Sequence, residues 1–149
     1  MDDYRAAAVA KNPMAPRDQY ADLVRLQVSG KRLITEEKEN ALLQDGVMRF
    51  GLSLEEARGK VRTAAEDRGA ALQRDIDDAA GFLLRESADT KGRLKRKDFN
   101  RVVRFYRLRA EGMMADPEVK QRVKVIMQQH KLSPRRAGFF FTRRWYAKI

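Results

Sequence analysis

Residues 51–87 read GLSLEEARGKVRTAAEDRGAALQRDIDDAAGFLLRES, and the punctuation of this stretch decides the fold. Ser53 stands ahead of Leu54-Glu55-Glu56, a capping box in which hydroxyl and carboxylate satisfy amides that a helix start leaves free. Leu54, Ala57, Val61, Ala64, Leu72, Ile76, Ala79 and Leu83 then recur at helical spacing. Gly59, Gly69 and Gly81 weaken the run, so it predicts one long helix, or two with a break near Gly69, ending by Ser87.

Working outward, Pro16 opens a helix that places Tyr20, Leu23, Val24 and Val28 on one face and stops at Gly30. Thr35 with Glu36 and Glu37 starts the next, which ends near Gly51; hydroxyl and carboxylates both suit the positive end of a helix. Beyond Ser87, a loop around Gly92 leads to Asp98, and Phe99, Val102, Val103, Tyr106, Ala110, Met113 and Met114 share a face. Arg93, Lys97, Arg101, Arg104 and Arg107 form a cationic stripe opposite. Asp116-Pro117-Glu118 supplies a cap, a first-position proline and a carboxylate for a helix carrying Val119, Val123, Ile126, Met127 and His130. Ser133-Pro134 predicts a short last helix reaching residue 149. No strand is expected. The expected fold is all-α, a compact bundle of five to seven helices, with two degenerate helix-turn-helix repeats as one form of it. One domain spans 1–149: a loose segment 1–15, the bundle 16–132 and a basic aromatic segment 133–149. Gly51–Ala57 also echoes Lys131–Ala137, a basic pair replacing an acidic one.

Among 149 residues, 32 Lys+Arg face 21 Asp+Glu, a net charge of +11. The excess is not evenly spread: residues 1–90 carry 14 basic and 17 acidic side chains, residues 91–149 carry 18 and 4. So concentrated a field steers an anionic partner toward the second part. With 43% hydrophobic residues the chain can still build a core. It contains no cysteine, which excludes disulfides, thiolate metal sites and cysteine nucleophiles and is compatible with a reducing cytoplasm. The acidic start Met1-Asp2-Asp3-Tyr4 is unlike a secretory leader, and no apolar run approaches the ~18 residues of a membrane span. A cytoplasmic protein is expected, in contact with membranes only peripherally, through anionic lipid.

Candidates for chemistry are few. His130 is the only histidine and falls on an apolar helix face, where a packed helix-end residue is expected rather than a catalyst. Asp75, Asp77 and Asp78 cluster, with Asp75 and Asp78 on adjoining helical positions, but solvation or a salt bridge explains them better than a metal or a shared proton. Phosphate-cradling and nucleophile-elbow motifs are absent from the sequence. No catalytic, cofactor or metal residue is assigned, and an enzyme ranks third among the functional readings.

Ser29-Gly30-Lys31-Arg32-Leu33-Ile34-Thr35-Glu36-Glu37, followed by Phe50-Gly51-Leu52-Ser53-Leu54-Glu55-Glu56-Ala57, resembles the helix punctuation of the tellurite-resistance TerB-like superfamily over roughly residues 18–110. The resemblance implies a small all-helical domain. That family's turn commonly carries a metal-associated aspartate before the glycine, where this chain has Ser29. Ser87 to Phe99 is similar to a degenerate EF-hand loop, with Ser87, Asp89, Lys91, Lys95 and Asp98 at the ligand places. The Lys91 ammonium and the short Asp98 side chain argue against calcium there.

The run Arg135 to Ile149 interleaves arginine with aromatics, a combination suited to phosphate and bases, to lipid or to an acidic protein groove. Alternatively Phe139, Phe141, Trp145 and Ile149 fold back to complete the core. The expected function is a non-enzymatic adaptor that docks on an acidic partner protein or assembly. The candidate partner-binding residues are Arg93, Lys97, Arg101, Arg104, Arg107, Arg135, Arg136, Arg143, Arg144, Trp145 and Tyr146. Nonspecific nucleic-acid binding is the alternative.

Overall fold

The computed structural model describes residues 13–136 and 143–149. Among these are seven helices: α1 Pro16–Val28, α2 Glu36–Met48, α3 Leu54–Arg68, α4 Gln73–Ser87, α5 Arg96–Arg109, α6 Asp116–Gln129 and α7 Arg144–Ala147. The all-helical expectation holds, with one addition. Four two-residue strands, β1 Leu33–Ile34, β2 Ala71–Leu72, β3 Arg93–Leu94 and β4 Ser133–Pro134, pair in parallel as β1–β2 and β3–β4.

The helix boundaries follow local chemistry. Thr35 Oγ1 accepts from the Lys38 amide at 3.2 Å, while Ser53 and Glu56 complete their reciprocal box at 3.1 and 3.0 Å. The break near Gly69 is real: this residue ends α3 at φ +65°, a left-handed conformation that costs glycine no Cβ clash. Two extended residues then reset the helical phase. As a result α4 buries Ile76, Ala80 and Leu84, while Ala79 and Leu83 are only half-buried.

Other boundaries depart from expectation. Helix α5 starts at Arg96, before Asp98, and stops at Arg109, so Met113 lies beyond it and is exposed. Arg93 belongs to β3 and not to the helical stripe. Asp116 is the first residue of α6, and Glu118 Oε2 reaches back to the Ala115 amide at 3.3 Å. Ser133-Pro134 forms a strand instead of opening a last helix, because its backbone is held by β3; α7 is only four residues long. Residues 1–12 and 137–142, with Phe139 and Phe141 among them, lie outside the described residues.

The first half and the second repeat the same order of helix, turn, strand, two helices, turn and strand. The left-handed turn positions Gly30, Gly51 and Gly69 recur at Gly92, Gly112 and Lys131. The sequence echo therefore aligned unlike places: Ser53 caps a helix, whereas Ser133 lies in a strand.

Buried side chains form two clusters. One gathers Tyr20, Val24, Ile34, Leu42, Val61 and Leu72; the other gathers Ile76, Leu84, Leu94, Phe99, Tyr106, Val119 and Val123. Leu33 crosses from β1 into the second cluster. A polar link also joins the halves: Arg122 of α6, paired with Asp77 of α4 within the second half, bonds Glu36 of α2 in the first at 2.6 Å.

Candidate functional site

The β3–β4 register sets Leu94 opposite Pro134, so Lys95 and Arg96 run on beside Arg135 and Arg136. The Arg135 amide donates to the Leu94 carbonyl at 2.7 Å. From the other side, Trp145 Nε1 donates to the Arg135 carbonyl at 3.0 Å and its ring packs on Phe99, centroids 5.4 Å apart. These contacts bring Arg143 to the same place. Arg93, Lys95, Arg96, Lys97, Arg135, Arg136 and Arg143 together line a groove of about 900 Å³, and every one of them is cationic.

Of the seven, only Arg93 has a carboxylate partner among the described residues: its Nε lies 3.0 Å from Asp89 Oδ2. Asp89 Oδ1 accepts from the amides of Arg93 and Lys91, both at 2.9 Å. The Arg93 amide, then that of Lys91, and then the guanidinium hold the Asp89 carboxyl below its ordinary range. Its oxygens are thus engaged within their own turn. At the head of α5, Lys95 provides no side-chain acceptor for the helix amides, unlike Thr35 and Ser53 at theirs.

The remaining predicted partner residues lie elsewhere. Arg101 pairs with Asp98 at 2.8 Å, and Arg107 Nε sits 2.8 Å from Asp116 at an angle that makes no hydrogen bond. Arg104 and Arg144 are exposed and form no ion pair among the described residues. Trp145, Tyr146 and Ile149 are half-buried against the second cluster, which favours the folded-back alternative for Trp145 and Ile149 and adds Tyr146 to it. Tyr146 faces α6, with Lys124 Nζ 4.5 Å from its ring centroid.

His130 caps the end of α6 and touches Arg85, whose Nη1 lies 3.0 Å from Nδ1. Asp75 receives both terminal nitrogens of Arg62, at 2.8 and 2.9 Å. Asp77 accepts from the Tyr106 hydroxyl at 2.7 Å and from Arg122 Nε at 3.1 Å. Burial, then the Asp77 contact, raises the Tyr106 pKa; Asp77 above all raises that of Arg122. Sequence reasoning missed this hub, since nothing local links residues 45 positions apart. It also missed Lys95 and Arg96, although a Lys-Arg-Lys run at a helix start, where the other capped helices carry Thr or Ser and Glu, was a readable signal.

Among the described residues no helix is long and apolar enough to cross a membrane, and no group of three His, Cys, Asp or Glu is disposed to hold a metal. No family model, curated protein or solved structure matches the chain.

Proposed function

We propose that the protein is a non-enzymatic cytoplasmic adaptor whose cationic half docks on an acidic partner protein, with the seven-cation groove as the docking place. The observation that carries this reading is the convergence of Arg93, Lys95–Lys97, Arg135, Arg136 and Arg143 on one concavity. Charge so concentrated speeds and orients encounter with an anionic surface. A protein suits the groove better than a nucleic-acid backbone for two reasons. Along α5 beyond the groove Arg101 and Arg107 have carboxylate neighbours, which thins the cationic track to Arg104 and Arg109 among the described residues, and the Trp145 ring packs on Phe99. For residues 18–110 we keep the TerB-like relationship as part of the proposal; the left-handed glycines 30 and 51 and the Thr35 and Ser53 caps support it.

The test is recovery of partners from native extract at about 150 mM salt, with and without nuclease. Acidic proteins that remain bound after nuclease, and are lost by a Lys95→Gln/Arg96→Gln/Lys97→Gln variant of unchanged helicity, are the expected result. Capture that disappears with nuclease overturns the reading in favour of nucleic acid.

A further inference from the structure

The two halves share a strand-pair design but differ in charge at one place. In the first half, Thr35-Glu36-Glu37 follows β1 and Gln73-Arg74 follows β2. These rims satisfy one another. Gln73 Oε1 accepts from the Glu36 amide at 2.9 Å, and Arg74 pairs with the buried Glu39 at 3.1 Å while donating to Asn40 at 3.1 Å. The side chains after β2 thus find partners on α2, and the pocket left beside Thr35, Glu36, Glu37 and Gln73 is the smaller one, about 330 Å³.

In the second half, Lys95-Arg96-Lys97 follows β3 and Arg135-Arg136 follows β4. The side chains of both rims are now donors only, so they cannot pair with each other, and like charges facing each other hold the rims apart. The rims are nevertheless held in place, by the Arg135–Leu94 backbone bond on one side and by Trp145 against Phe99 on the other. What remains is a groove of about 900 Å³ with Arg143 as a further cation.

Resting on the adaptor reading above, we infer that the missing acceptors come from outside: the groove takes a peptide segment of the partner that carries adjacent carboxylates. Those carboxylates bridge Lys95–Lys97 on one rim and Arg135–Arg136 on the other. Carboxylate is the chemistry the first half uses at the corresponding contact, in Glu39. Arginine supplies four of the remaining donors besides Lys95 and Lys97, and its planar fork takes both oxygens of a carboxylate.

The full chain, titrated by anisotropy at about 150 mM salt, tests this with three probes: a labelled peptide of consecutive glutamates, its glutamine counterpart and a duplex DNA. The decisive variant is Arg135→Glu/Arg136→Glu, which gives the second half rims of opposite sign. Expected are salt-sensitive binding of the glutamate peptide, little binding of the glutamine one, and a loss of roughly tenfold or more in the variant. The variant also melts above the wild type, because its rims now attract each other. Lys95→Gln/Lys97→Gln, which reverses no charge, weakens binding in the same direction and guards against misfolding of the first variant. Undiminished binding by both variants overturns the groove as the site and leaves the acidic-partner reading standing. A wild type that ignores the glutamate peptide but binds DNA overturns both.

Discussion

A Cβ added at Gly46 would lie 2.8 Å from the Tyr20 ring and 2.9 Å from Ala57 Cβ, whereas at Gly59 it would meet nothing within 4 Å. Both glycines are helical, so alanine gains intrinsic helix propensity at either site, but only at Gly46 must it displace a core ring. That ring is anchored by the Tyr20 hydroxyl donating to the Leu42 carbonyl at 2.8 Å. Gly46→Ala is expected to cost about 1–3 kcal/mol, and Gly59→Ala to gain about 0.5–1 kcal/mol; urea unfolding reads both. Asp77 and Arg122 are the other sensitive pair, with side chains 14% and 24% exposed. Arg122→Met leaves the carboxylate with Tyr106 alone, at an expected cost of about 2–4 kcal/mol. Adding Asp77→Asn should recover part of that loss. Asp89 provides a pH signature. Its lowered folded-state pKa stabilises the protein above the ordinary carboxylate range, and this stabilisation is lost as pH falls through the lowered value. Asp89→Asn therefore melts below the wild type at neutral pH, with the gap closing under acid.

At the scale of elements, α5 opens on Lys95, Arg96 and Lys97 with no capping side chain, and Asp98 is the one carboxylate in its first turn to suit the positive end of the dipole. Lys95→Ser should stabilise the protein by about 0.5–1.5 kcal/mol and weaken binding of the acidic peptide, an opposition that calorimetry and anisotropy measure together. Helix positions were readable from sequence because caps and apolar spacing act over a few residues: Pro16, Thr35, Ser53 and Gly69 each mark a boundary. The strands were not. Two residues carry no periodicity, and their partners lie far along the chain. The groove was half legible. Charge density in the terminal run selected Arg135, Arg136 and Arg143, and helical spacing selected Arg93 and Lys97, but the same spacing also selected Arg101 and Arg107, whose acidic neighbours emerge only in three dimensions.

For the molecule as a whole, α4 packs on α5 and α6 while Arg74 and Arg62 tie it to α2 and α3. The two buried clusters should therefore unfold together, in one calorimetric transition. Trp145, half-buried on Phe99, should emit at shorter wavelength than free tryptophan, and Trp145→Ala is expected to cost about 2 kcal/mol. A water-like spectrum with unchanged melting would contradict the packing.

The parallel pairs have a kinetic consequence. Leu33 meets Ala71 and Arg93 meets Ser133, and joining positions so far apart costs loop-closure entropy that two extended residues cannot offset alone. The intervening helices must dock first, so strand pairing comes late in folding. Leu94→Ala should then speed unfolding with little effect on refolding, while Val61→Ala slows refolding, a distinction stopped-flow chevrons resolve. Because the cationic rims straddle β3 and β4, a chain still emerging or only partly collapsed presents no complete groove, so the docking proposed above would be confined to finished molecules.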